Sequence, residues 1–131
     1  MDRSSPGMKT PLGRVRGLGS ARSGTRDFWH QRLTSVVGVP LTIAFIVIVI
    51  ALLGRNHAAA VQILGSPLVA IVMLLFILTT VYHMCIGMQE IIVDYMHDDL
   101  LKLIALMANT SFGVVVGLAS AYAILKLSFG V

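Results

Sequence analysis

The amino-acid sequence predicts an all-α membrane protein with three transmembrane helices and a flexible, basic N-terminal arm. Of its 131 residues, 56% are hydrophobic and only 12% are charged, whereas about a quarter of a soluble domain is charged. Three apolar runs are each long enough to cross a bilayer, which takes about 20 residues. Seven of the ten Lys and Arg residues precede the first run, a distribution that orients a membrane protein. The net charge of +4 therefore does not indicate nucleic-acid binding.

The chain divides into an N-terminal arm, residues 1–26, and a membrane domain, residues 27–131. The arm is rich in Gly, Ser and Arg, a composition that predicts a flexible, cytosol-facing segment without a packed core. The segment D-F-W-H-Q-R-L opens the membrane domain. Its Phe28 and Trp29 suit the headgroup boundary, and Asp27 is a predicted helix N-cap.

Three spans are predicted, over about residues 34–53, 67–93 and 101–127. The segment G-R-N-H ends the first run, and a short linker closing in G-S-P leads into the second. In the third run, Gly113 and Gly117 form a G-x-x-x-G motif, which predicts a close-packing face for another helix.

The distribution of Lys and Arg predicts a cytoplasmic N-terminus, and three spans then place the C-terminus outside. The turn after the second span lies on the cytoplasmic side, so Arg32, Asp94 and Tyr95 are expected at one face of the membrane. A single cysteine, Cys85, excludes a disulfide framework, a zinc cluster or an all-cysteine iron–sulfur site within this chain. The chain also lacks G-x-G-x-x-G, Walker A and H-E-x-x-H motifs, so a dehydrogenase would need other subunits.

A polar stripe follows the second predicted span, through His83, Gly87, Glu90 and Asp94. At about 100° per residue, these four positions lie within about 60° of one another on a helix. A histidine inside a membrane span is costly and is therefore a functional candidate. Gly87, one turn from His83, predicts a shallow notch where a flat ligand could approach the backbone.

His83 has two interpretations. A neutral imidazole at mid-membrane depth can bind haem iron axially, or it can form a hydrogen bond to a neighbouring helix. If it holds a haem, the second axial ligand must come from a partner, because His30, His57 and His97 lie near the membrane interfaces.

The other candidates also have alternatives. Tyr95 and Asp94 are either an interfacial tyrosine beside a solvated acid, or a phenol that donates to a quinone carbonyl beside a proton relay. Arg32 is either an orientation charge or a partner of haem propionates. Glu90 either lines a water path or reaches the surface, and Cys85 is expected to be a small packing residue.

The segment H-M-C-I-G-M-Q-E-I-I-V-D-Y, residues 83–95, resembles the H-x-x-x-G-x-x-x-x-x-x-D-Y signature of the D-type hydrophobic membrane anchor of succinate dehydrogenase, respiratory complex II. The upstream D-F-W-H-Q-R, residues 27–32, resembles that family's D-F-x-x-x-R. The likeness covers about residue 27 onward.

This resemblance implies a non-catalytic anchor subunit that shares one haem b with a C-type cytochrome b556 anchor. His83 would be one axial ligand and Arg32 would lie near the haem propionates. Tyr95 would bind ubiquinone, with Asp94 close by. The iron–sulfur and flavoprotein subunits would dock on the cytoplasmic side of a bacterial inner membrane, the expectation preferred to a mitochondrial one.

Three rivals follow from the same residues. A quinol:fumarate reductase anchor runs the same chemistry backwards and would differ in its preferred quinone. A cofactor-free membrane scaffold would keep its complex and its visible spectrum after His83→Ala. A proton-coupled transporter using Glu90 and Asp94 would need an oligomer and leaves Tyr95 without a role.

Overall fold

The computed structural model describes Thr10 and residues 23–130, and this part of the chain forms four helices and no strand. They are α1 (Ser23–Leu52), α2 (His57–Leu64), α3 (Pro67–Tyr95) and α4 (Asp99–Phe129). Helices α1, α3 and α4 are long and apolar enough to cross a membrane. The predicted all-α fold with three spans is confirmed.

The first helix begins about three turns before the predicted first span. Because α1 starts at Ser23, Asp27 lies inside it, and the predicted N-cap was wrong. Residues 23–26 are helical rather than part of a flexible arm; apart from Thr10, the rest of the predicted arm lies outside the described residues. Residues 25–33 contain neither Gly nor Pro, and the Arg32 guanidinium stacks 4.6 Å above the ring of Phe28 one turn earlier, a contact that favours helix.

The short helix α2 was not predicted and replaces the expected linker between the first two spans. Gly54, at φ 71°, turns the chain after α1, a conformation that glycine adopts without strain. Asn56 then caps α2, since its side chain accepts a hydrogen bond from the Ala59 backbone N–H at 2.9 Å. Helix α2 contacts α3 and α4. An Asn followed by H-A-A-A is a recognisable helix start, and this signal was overlooked.

The bounds of the other two spans agree closely with the sequence. Helix α3 begins at Pro67 as predicted and ends at Tyr95. Asp98 caps α4 by accepting a hydrogen bond from the Leu101 N–H at 2.9 Å. Gly130, at φ 68°, terminates α4 in the left-handed conformation.

Helix α3 is the central element, because it packs against both α1 and α4. The α4 interface uses the predicted glycine motif: Gly113 and Gly117 are buried, and a Cβ at Gly113 would overlap the Cys85 sulfur. One at Gly117 would lie 3.8 Å from Val81. The Asn109 side-chain amide donates to the Cys85 carbonyl oxygen at 2.9 Å. The predictions of a close-packing glycine face and of Cys85 as a packing residue are confirmed.

Candidate functional site

A groove of about 460 Å³ lies between α1 and α3 and includes His83. Its lining residues include Thr34, Ser35, Thr42, Thr79 and Thr80. The hydroxyl groups of the first three donate to backbone carbonyl oxygens of α1. Gly38 also lines it, and no atom lies within 4 Å of the position that a Cβ there would occupy. The groove therefore has one imidazole, several side chains that carry a hydroxyl, and one helix position without a side chain.

His83 is half-buried and is held by a side chain of the neighbouring helix. Its Nδ1 lies 2.9 Å from Thr34 Oγ1. The same hydroxyl lies 2.7 Å from the His30 carbonyl oxygen and 3.1 Å from that of Gln31. Since twelve residues separate His83 from Tyr95, the imidazole lies roughly 18 Å along α3 from the Tyr95 end of the helix.

A second polar contact joins α1 and α3 at Tyr82, the residue before His83. Tyr82 Oη lies 2.7 Å from His30 Nδ1, with ring centroids 6.0 Å apart. His30 and Thr34 are one turn apart on α1 and meet consecutive residues of α3. The sequence gives one signal for this pairing, the i, i+4 spacing of the two polar residues on one face of α1.

The predicted notch at Gly87 is covered by the chain itself. Gln31 Nε2 lies 3.4 Å from the position of a Cβ on Gly87. Gln31 Oε1 is buried and accepts no hydrogen bond among the described residues. The Gln31 side chain therefore lies at the predicted notch, and a flat ligand there would meet this side chain before the backbone of Gly87. The uncovered glycine beside His83 is Gly38.

Arg32 does not line the groove. It lies two residues from Thr34, so the two side chains diverge by about 160° around α1, and its guanidinium rests over Phe28. Because Gln31 lies beside Gly87, Arg32 is near the level of Gly87, about 12 Å deeper than Tyr95 at 1.5 Å per residue. The structure thus places Arg32 and Tyr95 at one end of the bundle but not in contact. The role of Arg32 at haem propionates stays a prediction.

The last two turns of α3 carry the other candidates, and their side chains are exposed. Glu90 and Asp94 are exposed, and Tyr95 is 78% exposed. An exposed phenol and carboxylate on consecutive residues can donate and relay protons to a molecule bound at this end.

The described residues contain no group of three or more His, Cys, Asp or Glu side chains that could hold a metal ion by themselves. A metal at His83 would therefore need further ligands from a cofactor and a partner chain.

The comparisons with known proteins agree with the fold and the motif. The family model of the succinate dehydrogenase/fumarate reductase transmembrane subunit matches residues 6–125, most of the chain. The chain belongs to this family. It is also similar to the succinate dehydrogenase hydrophobic membrane anchor subunit of Rickettsia bellii (strain RML369-C), with 26% identity over 101 residues, 77% of this chain and 81% of the relative. No solved structure matches the chain.

As a transmembrane subunit of this family, the chain is a multi-pass membrane protein, and its α1–α3 groove fits a haem in two respects. His83 contributes an imidazole with one ring nitrogen engaged by Thr34, which leaves Nε2 for an iron atom. Gly38 leaves a stretch of α1 without a side chain, so a flat group can approach the helix backbone.

Proposed function

We propose that this chain is the D-type membrane anchor of a succinate:ubiquinone oxidoreductase in a bacterial inner membrane, with its N-terminus in the cytoplasm. In this role it shares one haem b with a C-type cytochrome b556 anchor and contributes to the ubiquinone-reduction site. The iron–sulfur and flavoprotein subunits carry succinate oxidation, so the chain is not an enzyme on its own. The single observation that supports this most is the placement of His83 in an open groove between α1 and α3.

Two residues of the groove, His83 and Gly38, have defined tasks in this proposal. His83 and a histidine of the partner anchor would together hold the haem iron. Haem b, when bound, accepts and releases single electrons. The glycine at position 38 would allow a flat macrocycle to approach the backbone of α1.

In this proposal, ubiquinone binds at the last turn of α3. Ubiquinone reduction consumes two electrons and two protons, and the quinone carbonyls need hydrogen-bond donors as negative charge develops on them. The Tyr95 phenol donates to one carbonyl, and the Asp94 carboxylate passes protons from the cytoplasmic side. Their exposure fits a site that is completed by the partner anchor and the iron–sulfur subunit.

The deciding experiment is a reduced-minus-oxidised visible spectrum of the complex purified through a tag on this chain. We expect a b-type α-band in the wild type and its loss or alteration in His83→Ala. The matched control is His57→Ala, which changes an exposed histidine at the start of α2 and should leave the band intact.

A band that is unchanged in His83→Ala would refute haem ligation by this residue. A wild-type complex without any b-type band would favour the cofactor-free scaffold. A quinol:fumarate reductase anchor would give the same spectrum, and the family description names both enzymes. The preferred quinone separates these two: faster turnover with ubiquinone than with a low-potential quinone supports the succinate-oxidising direction.

A further inference from the structure

Thr34 makes the contact that decides which nitrogen of His83 carries the proton. Its Oγ1 lies 2.7 Å from the His30 carbonyl oxygen and 2.9 Å from His83 Nδ1. A hydroxyl has one proton, and two oxygen atoms at 2.7 Å need a proton between them, so Thr34 donates to the carbonyl. This back-bond to residue i−4 is common for a threonine inside a helix.

Because its proton is used in this way, Thr34 can only accept from His83. Nδ1 of His83 therefore carries the N–H, and in the neutral imidazole the lone pair remains on Nε2. The hydrogen bond also restrains rotation of the ring, since it joins α3 to a hydroxyl on α1.

We propose that Thr34 is a positioning residue, which fixes His83 in the Nδ1–H tautomer and makes Nε2 the nitrogen available to haem iron. This role presupposes the proposed ligation of haem by His83. A metal-bound histidine almost always donates its other N–H to an acceptor, and removal of that acceptor typically weakens metal binding by about 10- to 100-fold. In this chain the acceptor, Thr34, is 49 positions away from His83 in sequence. The packing of α1 against α3 therefore sets the orientation of the His83 ring.

Thr42 provides a matched control. It lines the same groove, about two turns further along α1, and its Oγ1 makes the same kind of back-bond, to the Gly38 carbonyl oxygen at 2.7 Å. Thr42→Val therefore removes an equivalent hydroxyl from the same wall without touching the His83 contact.

The purified complex is compared as wild type, Thr34→Val, Thr34→Ser and Thr42→Val. We expect Thr34→Val to hold haem about tenfold more weakly, measured as faster transfer of haem to apomyoglobin. Loss of the Nδ1–H bond makes the imidazole a poorer donor to ferric iron, so the haem midpoint potential should rise. A tenfold loss of preference for the ferric state corresponds to about 59 mV for one electron. Thr34→Ser, which keeps the hydroxyl, and Thr42→Val should both match the wild type.

Wild-type haem retention, midpoint potential and ferric electron paramagnetic resonance g values in Thr34→Val would overturn the positioning role, even where His83→Ala has lost the band. Equal changes in Thr42→Val would overturn it too, because they would assign the effect to the groove wall in general. Thr34→Ala is measured beside Thr34→Val. If one of these variants fails to assemble, the effect of losing the hydroxyl is measured in the other. A wild-type complex without a b-type band would instead refute the proposed function on which this role depends.

Discussion

At the scale of single residues, the sequence predicts His83 but not the side chains that hold it. A histidine in an apolar run stands out because ionisable groups are costly in a membrane. Thr34 and Gln31 carry no such signal, since a hydroxyl or amide near a helix end is ordinary. Their importance depends on the packing register of α1 against α3, which the periodicity of one helix does not encode. A hydrogen bond from His83 to a neighbouring helix was one of the two interpretations, and Thr34 provides it. The identity of that partner, and the contact of Gln31 with Gly87, could not be predicted for this reason.

Tyr95→Phe removes one hydroxyl group and tests the proposed ubiquinone site at the C-terminal end of α3. We expect quinone reductase activity to fall by about 100-fold, the effect typical of losing one donor to a developing oxyanion. Succinate oxidation with an artificial acceptor should survive, because in the proposed complex the flavoprotein and iron–sulfur subunits would carry it. Tyr122→Phe, at a tyrosine that is 68% exposed on α4, should leave both activities unchanged. Undiminished quinone reduction in Tyr95→Phe would remove this residue from the quinone site.

At the scale of helices, apolar runs predict the spans well and their ends poorly. The start and end of α3 follow from a first-turn proline and a polar turn. The start of α1 was missed because an interfacial segment with Arg, Gln and His can remain helical after it leaves the hydrocarbon core. Helix α2 was missed because eight residues are too few for a periodic pattern, although its Asn56 cap was visible.

Gly113→Ala tests the contact between α3 and α4. The added Cβ would overlap the Cys85 sulfur, and relief of such overpacking costs about 1–3 kcal/mol. We therefore expect a lower thermal midpoint for the detergent-solubilised complex. The same change at Gly117 should be tolerated, since its Cβ would meet Val81 at 3.8 Å, an ordinary contact distance. Adding Cys85→Ala to Gly113→Ala should restore stability. Equal thermal midpoints for Gly113→Ala and Gly117→Ala would show that the glycine spacing is incidental.

At the scale of the whole molecule, most large apolar side chains are exposed for contact with other molecules, and few are buried in a core of the chain itself. The buried hydrophobic side chains among the described residues are Ala70, Ile86 and Ile92, and large apolar side chains on all three spans are exposed. Lipid or partner helices must cover them. The sequence predicts this composition directly, whereas the surface that meets the partner anchor depends on helix packing and becomes visible only with the fold.

The orientation of the whole chain gives the last prediction. Lys and Arg concentrate before the first span, so the loop with α2 should lie outside and the turn between α3 and α4 inside. His57→Cys and His97→Cys, both at exposed positions, are each introduced into a Cys85→Ala background. A membrane-impermeant maleimide added to spheroplasts should label the first cysteine and spare the second, and both should react after the membranes are dissolved in denaturing detergent. The reverse pattern would place Tyr95 and Asp94 on the outer side, away from cytoplasmic iron–sulfur and flavoprotein subunits, and would refute the proposed quinone site.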